Sequence, residues 1–188
     1  IYQLMYKGTH TYSYNLKDKA LSRRYANTLT FVNKQLTQPV NILDLGIDNP
    51  FSNMLRDQGH DVDNTDMNQD LDLDYSQVTN EKYDVVTAFE IFEHMVAPFN
   101  LLREITAPNL IASIPLSLWF AKAYWNEKDE WDRHYHEFEP RQFDMLLNKS
   151  GWRIIDSEKW VSKSNKIGFK PLLRSFTPRY FIVSCERI

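Results

Sequence analysis

Apolar residues along this chain fall into two alternating patterns. From 16 to 36 there is no Pro or Gly, and Leu21, Tyr25, Leu29 and Val32 recur at helical spacing. That predicts one helix, or two with a break. Short apolar runs then alternate with amphipathic stretches. Strands are predicted at 41–45, 61–64, 84–88 and 110–114, and helices at 50–58, 98–105 and 140–149. The last of these helices runs into Ser150-Gly151, a good stop signal. Strands at 152–157 and 179–185 close the chain. The runs YDVVTAF (83–89) and NLIASIP (109–115) are nearly continuous apolar stretches, as expected for central strands covered on both faces. A buried helical segment is the alternative for each, and β-branched content with flanking Pro favours strand. Alternation of this kind predicts an α/β fold, a largely parallel sheet with helices on both faces.

Two stretches stand outside the pattern. Residues 116–139 collect Trp119, Phe120, Tyr124, Trp125, Trp131, Tyr135 and Phe138, while 162–178 carries Lys163, Lys166, Lys170 and Arg174 and no acid. Long connections at strand ends of such sheets usually carry function. Bulk properties narrow the field. A length of 188 residues suits one domain with a proper core. A formal net charge of −3 gives no global basic field, which counts against nucleic acid. The one cysteine, Cys185, excludes an intrachain disulfide framework and a cysteine zinc site and fits a reducing, cytoplasmic compartment. No apolar run reaches the ~18 residues of a membrane span.

The chemistry starts at ILDLGIDNPFS (42–52). Gly46 ends the first strand, and Asp66 ends the second strand twenty residues later. An acid there accepts both hydroxyls of an adenosine ribose. A dinucleotide loop would have glycines at the positions held by Asp48 and Pro50. Asn49 and Pro50 instead suit a helix start, Asn as N-cap and Pro at the first helical position.

At this point the chain resembles the class I S-adenosylmethionine (SAM)-dependent methyltransferases, of the type that includes the ubiquinone-biosynthesis O-methyltransferases. ILDLG is similar to their first motif, GHDVDNTDMN to the second and QDLDL to the third. YDVVTAFEIFEHMVAP is similar to their fourth strand and its turn, and HYHEFEPRQFDMLLNKSGW to a late helix and the strand after it. The resemblance covers about 41–160. It implies a Rossmann-like, doubly wound, seven-stranded sheet whose last strand, RYFIVSCERI, is antiparallel. It also implies SAM as cofactor, with Asp44, Gly46, Asp48, Asp66, Met67, Asp70, Leu71 and Phe89 around it. Asp66 would hold the ribose and Asp70 would lie near the adenine amino group. SAM carries no phosphate, which relaxes the need for the second and third glycines. Asp48 is left facing the amino group or sulfonium of SAM, its carboxylate, or solvent. On this reading 1–188 is a single methyltransferase domain. Segment 1–36 folds over the cofactor, with Tyr6, Tyr12 or Arg24 reaching its carboxylate. Inserts 116–139 and 162–178 cap the substrate.

EIFEH places Glu90, Glu93 and His94 at i, i+3 and i+4, one face of a helical turn. With His136 or His134 they form a plausible divalent-metal set, as in metal-assisted O-methyltransferases, including the small-RNA 3′-end enzymes. Without metal, Glu93, His94, His134 and His136 are the acid–base candidates, histidine being suited to deprotonating a hydroxyl. The bland alternative is that Glu93-His94 caps a turn. His60 reads as a surface residue, and His10 as part of the N-terminal segment. The Pro-Pro-aromatic run of amide methyltransferases is absent at 89–91, which tilts the acceptor toward a small-molecule hydroxyl, aromatic or anionic. Two readings compete: a non-catalytic binding module on the same fold, motivated by Asp48 and Pro50, and a nicotinamide enzyme, which the missing glycines disfavour.

Overall fold

A computed structural model describes residues 18–66, 68–129, 131–162 and 168–188. Tyr6, His10, Tyr12 and Met67, and with them most of the N-terminal segment and part of the basic insert, lie outside these. The elements are α1 (Lys19–Gln35), β1 (Asn41–Asp44), α2 (Pro50–Asp57), β2 (Asp61–Asn64), β3 (Val85–Phe89), a 3₁₀ turn (Phe92–His94), α3 (Pro98–Glu104), β4 (Asn109–Pro115), α4 (Pro140–Lys149), β5 (Trp152–Val161), α5 (Phe169–Phe176) and β6 (Pro178–Arg187).

The strands form one sheet in the order β2-β1-β3-β4-β6-β5. β1 is parallel to β2 and β3, β3 is parallel to β4, and β6 runs antiparallel between β4 and β5. Period-two alternation sorts the strands onto two cores. Ile42, Val62, Val85, Ile111 and Ile182 face α1 and α2, packing with Tyr25, Phe31, Phe51 and Leu55. Leu43, Val86, Ala88, Leu110, Ala112 and Val183 face α3 and α4, packing with Leu101, Leu102, Phe143 and Leu147. Helices therefore cover both faces, as the alternating sequence predicts. Trp152, fully buried, donates its indole N–H to the Leu102 carbonyl at 2.9 Å, tying β5 to α3.

The expected seven strands become six among the described residues. Segment 65–84 forms turns where a further strand would need extended backbone. Its aspartates explain why. Asp66, Asp70 and Asp74 each accept the backbone N–H two residues on, from Asn68, Asp72 and Ser76 at 2.7, 3.0 and 2.9 Å. Three such Asx turns in succession take donors that a ladder would use.

The β1–α2 junction forms by the device read from the sequence. The Asn49 side chain accepts from the N–H groups of Phe51 and Ser52 at 2.8 and 3.2 Å, and Pro50 opens the helix. Beneath it lies Asp44, 2% exposed. Its carboxylate accepts from Thr87 Oγ1 on β3 at 2.6 Å, Ser52 Oγ on α2 at 2.9 Å and Asn64 Nδ2 on β2 at 3.2 Å. Burial raises its pKa, and these donors oppose the rise. Asp44→Asn turns an amide N–H toward existing donors. It is expected to cost about 2 kcal/mol of unfolding free energy, measured by urea titration at neutral pH. Asp48→Ala, which removes an exposed ion pair with Arg56, should cost less than about 1 kcal/mol in the same assay.

Candidate active site

In open α/β sheets the ligand crevice forms where strand order reverses, beyond the carboxyl ends of the strands. Here the reversal falls between β1, whose other neighbour is β2, and β3, which leads on to β4. Two turns flank it: residues 45–49 after β1 and 90–95 after β3.

Gly46 adopts φ 109°, a conformation costly for any residue with a Cβ. Its N–H donates to Thr65 Oγ1 at 2.7 Å, and its carbonyl accepts from Asn64 Nδ2 at 3.3 Å. The turn is thereby pinned to the end of β2, where Asp66 stands exposed. A Cβ on residue 46 would meet Ile91 Cδ1 at 3.3 Å. The first turn thus touches the second through Ile91. Asp70 and Leu71 follow Asp66, with Leu71 packed on the α3/α4 core. Phe89, at the end of β3, makes an edge contact with Phe51 at 5.0 Å between ring centroids.

Asp48 takes a different direction. It is bound to Arg56 Nη1 at 2.7 Å. The same guanidinium also donates to Asn53, to the Val62 carbonyl and to Asn64. Asp48 is committed to this surface network between α2 and β2.

The second turn gathers the acid–base groups. Glu90 sits at φ 59°, outside any helical face. Its carboxylate accepts from Ser113 Oγ at 3.0 Å and pairs with Arg24 of α1 at 3.5 Å. Arg24 in turn lies over the Tyr180 ring, 5.8 Å from its centroid. Glu93 is 1% exposed, and its Oε2 has no hydrogen-bond partner among the described residues. Burial first, and the neighbouring Glu90 second, hold its carboxyl well above the ordinary carboxylate range. The Glu93 carbonyl accepts the N–H groups of Tyr135 and His136 at 2.7 and 3.2 Å, docking the aromatic insert onto this turn. His94 Nδ1 bonds the Arg133 carbonyl at 3.0 Å, and its ring meets that of His134 edge-on at 4.8 Å. Ligand atoms of Glu93, His94 and His134 lie within 4.8 Å of one another.

The structure thus regroups the residues expected to hold a metal. Glu93 and His94 converge with His134, not with Glu90 and His136. The left-handed backbone at Glu90 breaks the i, i+3, i+4 face, and His136 Nε2 is within hydrogen-bond distance of the Val96 carbonyl at 3.2 Å, with its ring stacked on Phe138. His60, expected at the surface, is 7% exposed. It accepts the Val40 N–H through Nδ1 at 3.3 Å, beneath the start of β1.

Two carboxylates were not read from the sequence. Asp72 accepts from the N–H groups of Val96 and Ala97 at 2.8 and 2.7 Å, clasping the 70–74 turns to the start of α3. Glu137 lies 3.4 Å from His134 Nδ1, accepts the Tyr124 N–H at 2.9 Å, and pairs with Arg179 at 3.6 Å. Glu137 stands within HYHEF, but nothing in linear spacing aims it at His134. Within the insert the aromatics mostly pack on one another, as in Trp119–Phe120 and Trp125–Tyr135, and Arg133 lies over Trp125 at 5.0 Å. Burial pushes the Cys185 thiol up to about 12, so it is no nucleophile here.

A family model described as a methyltransferase domain matches residues 17–157. The chain belongs to the methyltransferase-domain family. It is an enzyme of the class I, SAM-dependent type. Solved structures with the same fold include the 1,6-didemethyltoxoflavin-N1-methyltransferase of Burkholderia thailandensis, crystallised with 1,6-didemethyltoxoflavin and S-adenosylhomocysteine. It is 17% identical at a TM-score of 0.64, with 91% of this chain and 80% of that one covered. A SAM-dependent methyltransferase of Archaeoglobus fulgidus is 15% identical at a TM-score of 0.62, covering 88% of this methyltransferase and 94% of its own chain. The magnesium protoporphyrin IX methyltransferase of Synechocystis PCC 6803, with bound S-adenosylhomocysteine, is 14% identical at 0.58, covering 96% and 90%. No curated protein matches the sequence.

Burial lowers the pKa of both His94 and His134 below 6.5, and for His134 the like charge of His94 is the next cause. Each ring is therefore neutral at pH 7. Because the folded state binds their protons more weakly, stability from this pair is lost as pH falls below the unfolded value of 6.5. His94→Gln removes the neighbouring charge. The NMR titration midpoint of His134 is then expected to rise toward 6.5, and a midpoint that stays or falls contradicts the coupling.

Proposed function

We infer that this methyltransferase transfers a methyl group from SAM to a hydroxyl oxygen of a small molecule. The observation that carries the reading is a neutral, half-buried His94–His134 pair beside the buried Glu93, joined to the Gly46 turn through Ile91. The residues fit SAM. A glycine turn without a phosphate cradle, an exposed acid at the end of β2, and the Asp70-Leu71 turn suit a nucleoside whose tail is an amino acid. When bound, SAM supplies an electrophilic methyl on a sulfonium.

The chain's own groups do the rest. Gly46 leaves room for close backbone approach, and Asp66 accepts ribose hydroxyls. Asp44 carries no ligand on this reading: its three hydrogen bonds make it the support beneath the turn. Asp48, held by Arg56, has no cofactor contact. His134 takes the acceptor's proton, with Glu137 beside Nδ1 to steady the imidazolium that results. A charged His94 would lower the basicity of His134 further, and burial of His94 disfavours that charge. Insert 116–139 borders the acceptor as a cap, and its aromatic residues select a ring. Glu90 anchors Arg24, so that α1 closes one side of the crevice.

A second reading has its own observation. Glu93, His94 and His134 are close enough to share a divalent cation, which would use the Glu93 oxygen that has no partner. Activity indifferent to a chelator removes it. The non-catalytic module loses its main motive, because Asn49 and Pro50 cap α2 competently and Asp48 is held by Arg56.

Calorimetric titration with S-adenosylhomocysteine should show binding. Asp66→Ala should weaken it about 10- to 100-fold, the loss of hydrogen bonds to a charged group, while Asp48→Ala leaves it unchanged. No heat at millimolar ligand overturns the cofactor assignment. Against a panel of phenols, catechols and sugars, His134→Ala should lower turnover by about 10²- to 10⁴-fold with S-adenosylhomocysteine affinity intact. Equal loss of binding would make His134 structural instead.

A further inference from the structure

Helix α5 adds nothing to either core: none of its residues is buried, although it touches β5 and β6. Phe169, Leu172, Leu173 and Phe176 fall at i, i+3, i+4 and i+7, and so share one face. Phe169 is 74% exposed, Leu172 57% and Phe176 78%. A soluble surface rarely presents such a face without use. Lys170 and Arg174, four apart, form a stripe along its flank.

The sequence around α5 is one-sided in charge, although Arg179 just past it pairs with Glu137. Between Glu158 and Glu186 there is no acidic residue, and six of the 22 basic residues fall in that stretch, while all 25 acidic residues lie outside it. Trp119, 78% exposed, follows Leu116 by three residues. Pro115, at the end of β4, pairs with Tyr180, and Leu116 N–H donates to the Arg179 carbonyl, just past α5. Because β5 runs parallel to β4, α5 lies at the carboxyl end of the sheet, the end with the Gly46 and Glu90 turns.

We propose that α5 docks this enzyme peripherally on an anionic bilayer surface. An apolar face with a basic flank is the composition of an interfacial helix: the apolar residues enter the headgroup boundary and the cations meet anionic lipid. Exposed Trp favours the same boundary. No helix among the described residues is long and apolar enough to cross a membrane, so attachment is to the surface. Other occupants fit the charge less well. A second copy joined by a two-fold axis would set this cationic stripe against itself. Segment 1–17 carries Lys7 and Lys17 and no acid, so it too is cationic. Docking turns the mouth of the crevice toward the bilayer. The inference stands whatever the methyl acceptor is.

The test is co-sedimentation of the full chain with vesicles of phosphatidylcholine alone and of phosphatidylcholine with one-third phosphatidylserine. Expected is binding to the anionic vesicles well above that to neutral ones, falling as salt rises. The Phe169→Ser, Leu172→Ser, Phe176→Ser triple variant should lose about tenfold or more of that binding, as should Lys170→Glu with Arg174→Glu. Circular dichroism and S-adenosylhomocysteine affinity, both unchanged, show that each variant is folded. Equal sedimentation of wild type and triple variant, or none with anionic vesicles, overturns the proposal. So does a wild-type dimer by light scattering that the triple variant abolishes, which would make the face a contact between copies.

Discussion

The buried carboxylate of Asp44 accepts hydrogen bonds from three elements that the chain reaches at different times: α2 through Ser52, β2 through Asn64 and β3 through Thr87. An acid shielded from water costs free energy unless its oxygens are met by donors, and here both are. The tie fixes where β1 ends relative to its two parallel neighbours, which is where strand order reverses. Gly46, two residues on, inherits its position from this knot. Asn64 belongs to both, since its amide reaches Asp44 and the Gly46 carbonyl. The crevice is therefore preorganised by packing beneath it rather than by the residues that face it.

A second constraint sits across the reversal point. Glu90 holds a left-handed backbone conformation at φ 59°, unfavourable for a residue with a side chain. Four contacts sustain it: its N–H to the Ser113 carbonyl, its carboxylate to the Ser113 hydroxyl and to Arg24, and the close passage of Ile91 over Gly46. The bend turns Glu90 toward α1 and lets the following 3₁₀ turn aim Glu93 and His94 at the aromatic insert. Without it, Glu90, Glu93 and His94 would lie on one helical face. With it, one acid is paired to a cation and the other is driven toward its neutral form.

Much of this was legible in the sequence. Period-two and period-3.6 patterns located the strands and the main helices because the sheet is covered on both faces, and Asn49-Pro50 announced the start of α2. Four things were not. The aspartates of 65–84 read as cofactor motifs, whereas their first structural act is to close Asx turns, and an expected strand goes missing there. Spacing grouped Glu90 with His94, but a single positive φ cannot be seen in spacing. Helix α5 was not predicted: Lys163, Lys166, Lys170 and Arg174 dominate 162–178 and its apolar period spans only two turns, although Pro171 in its first turn is no obstacle to a helix. Partners that meet across long loops, such as Glu137 with His134 or Asp72 with the Val96 N–H, leave no linear signature at all.

The two inserts depart from the sheet at one end, and the registry of β6 explains why they travel together. β6 lies between β4 and β5 and pairs with both. The residue that ends one insert is thus hydrogen-bonded to the strand that begins the other: Arg179 receives the Leu116 N–H and also pairs with Glu137. Glu137 in turn stands beside His134. A displacement of α5 would therefore be felt at Arg179, then at Glu137, then at the histidine pair. That chain is short because the antiparallel strand brings it back to the sheet's carboxyl edge. A fold that placed β6 at an edge, paired with one neighbour only, would leave the basic helix and the acid–base cluster without a shared support.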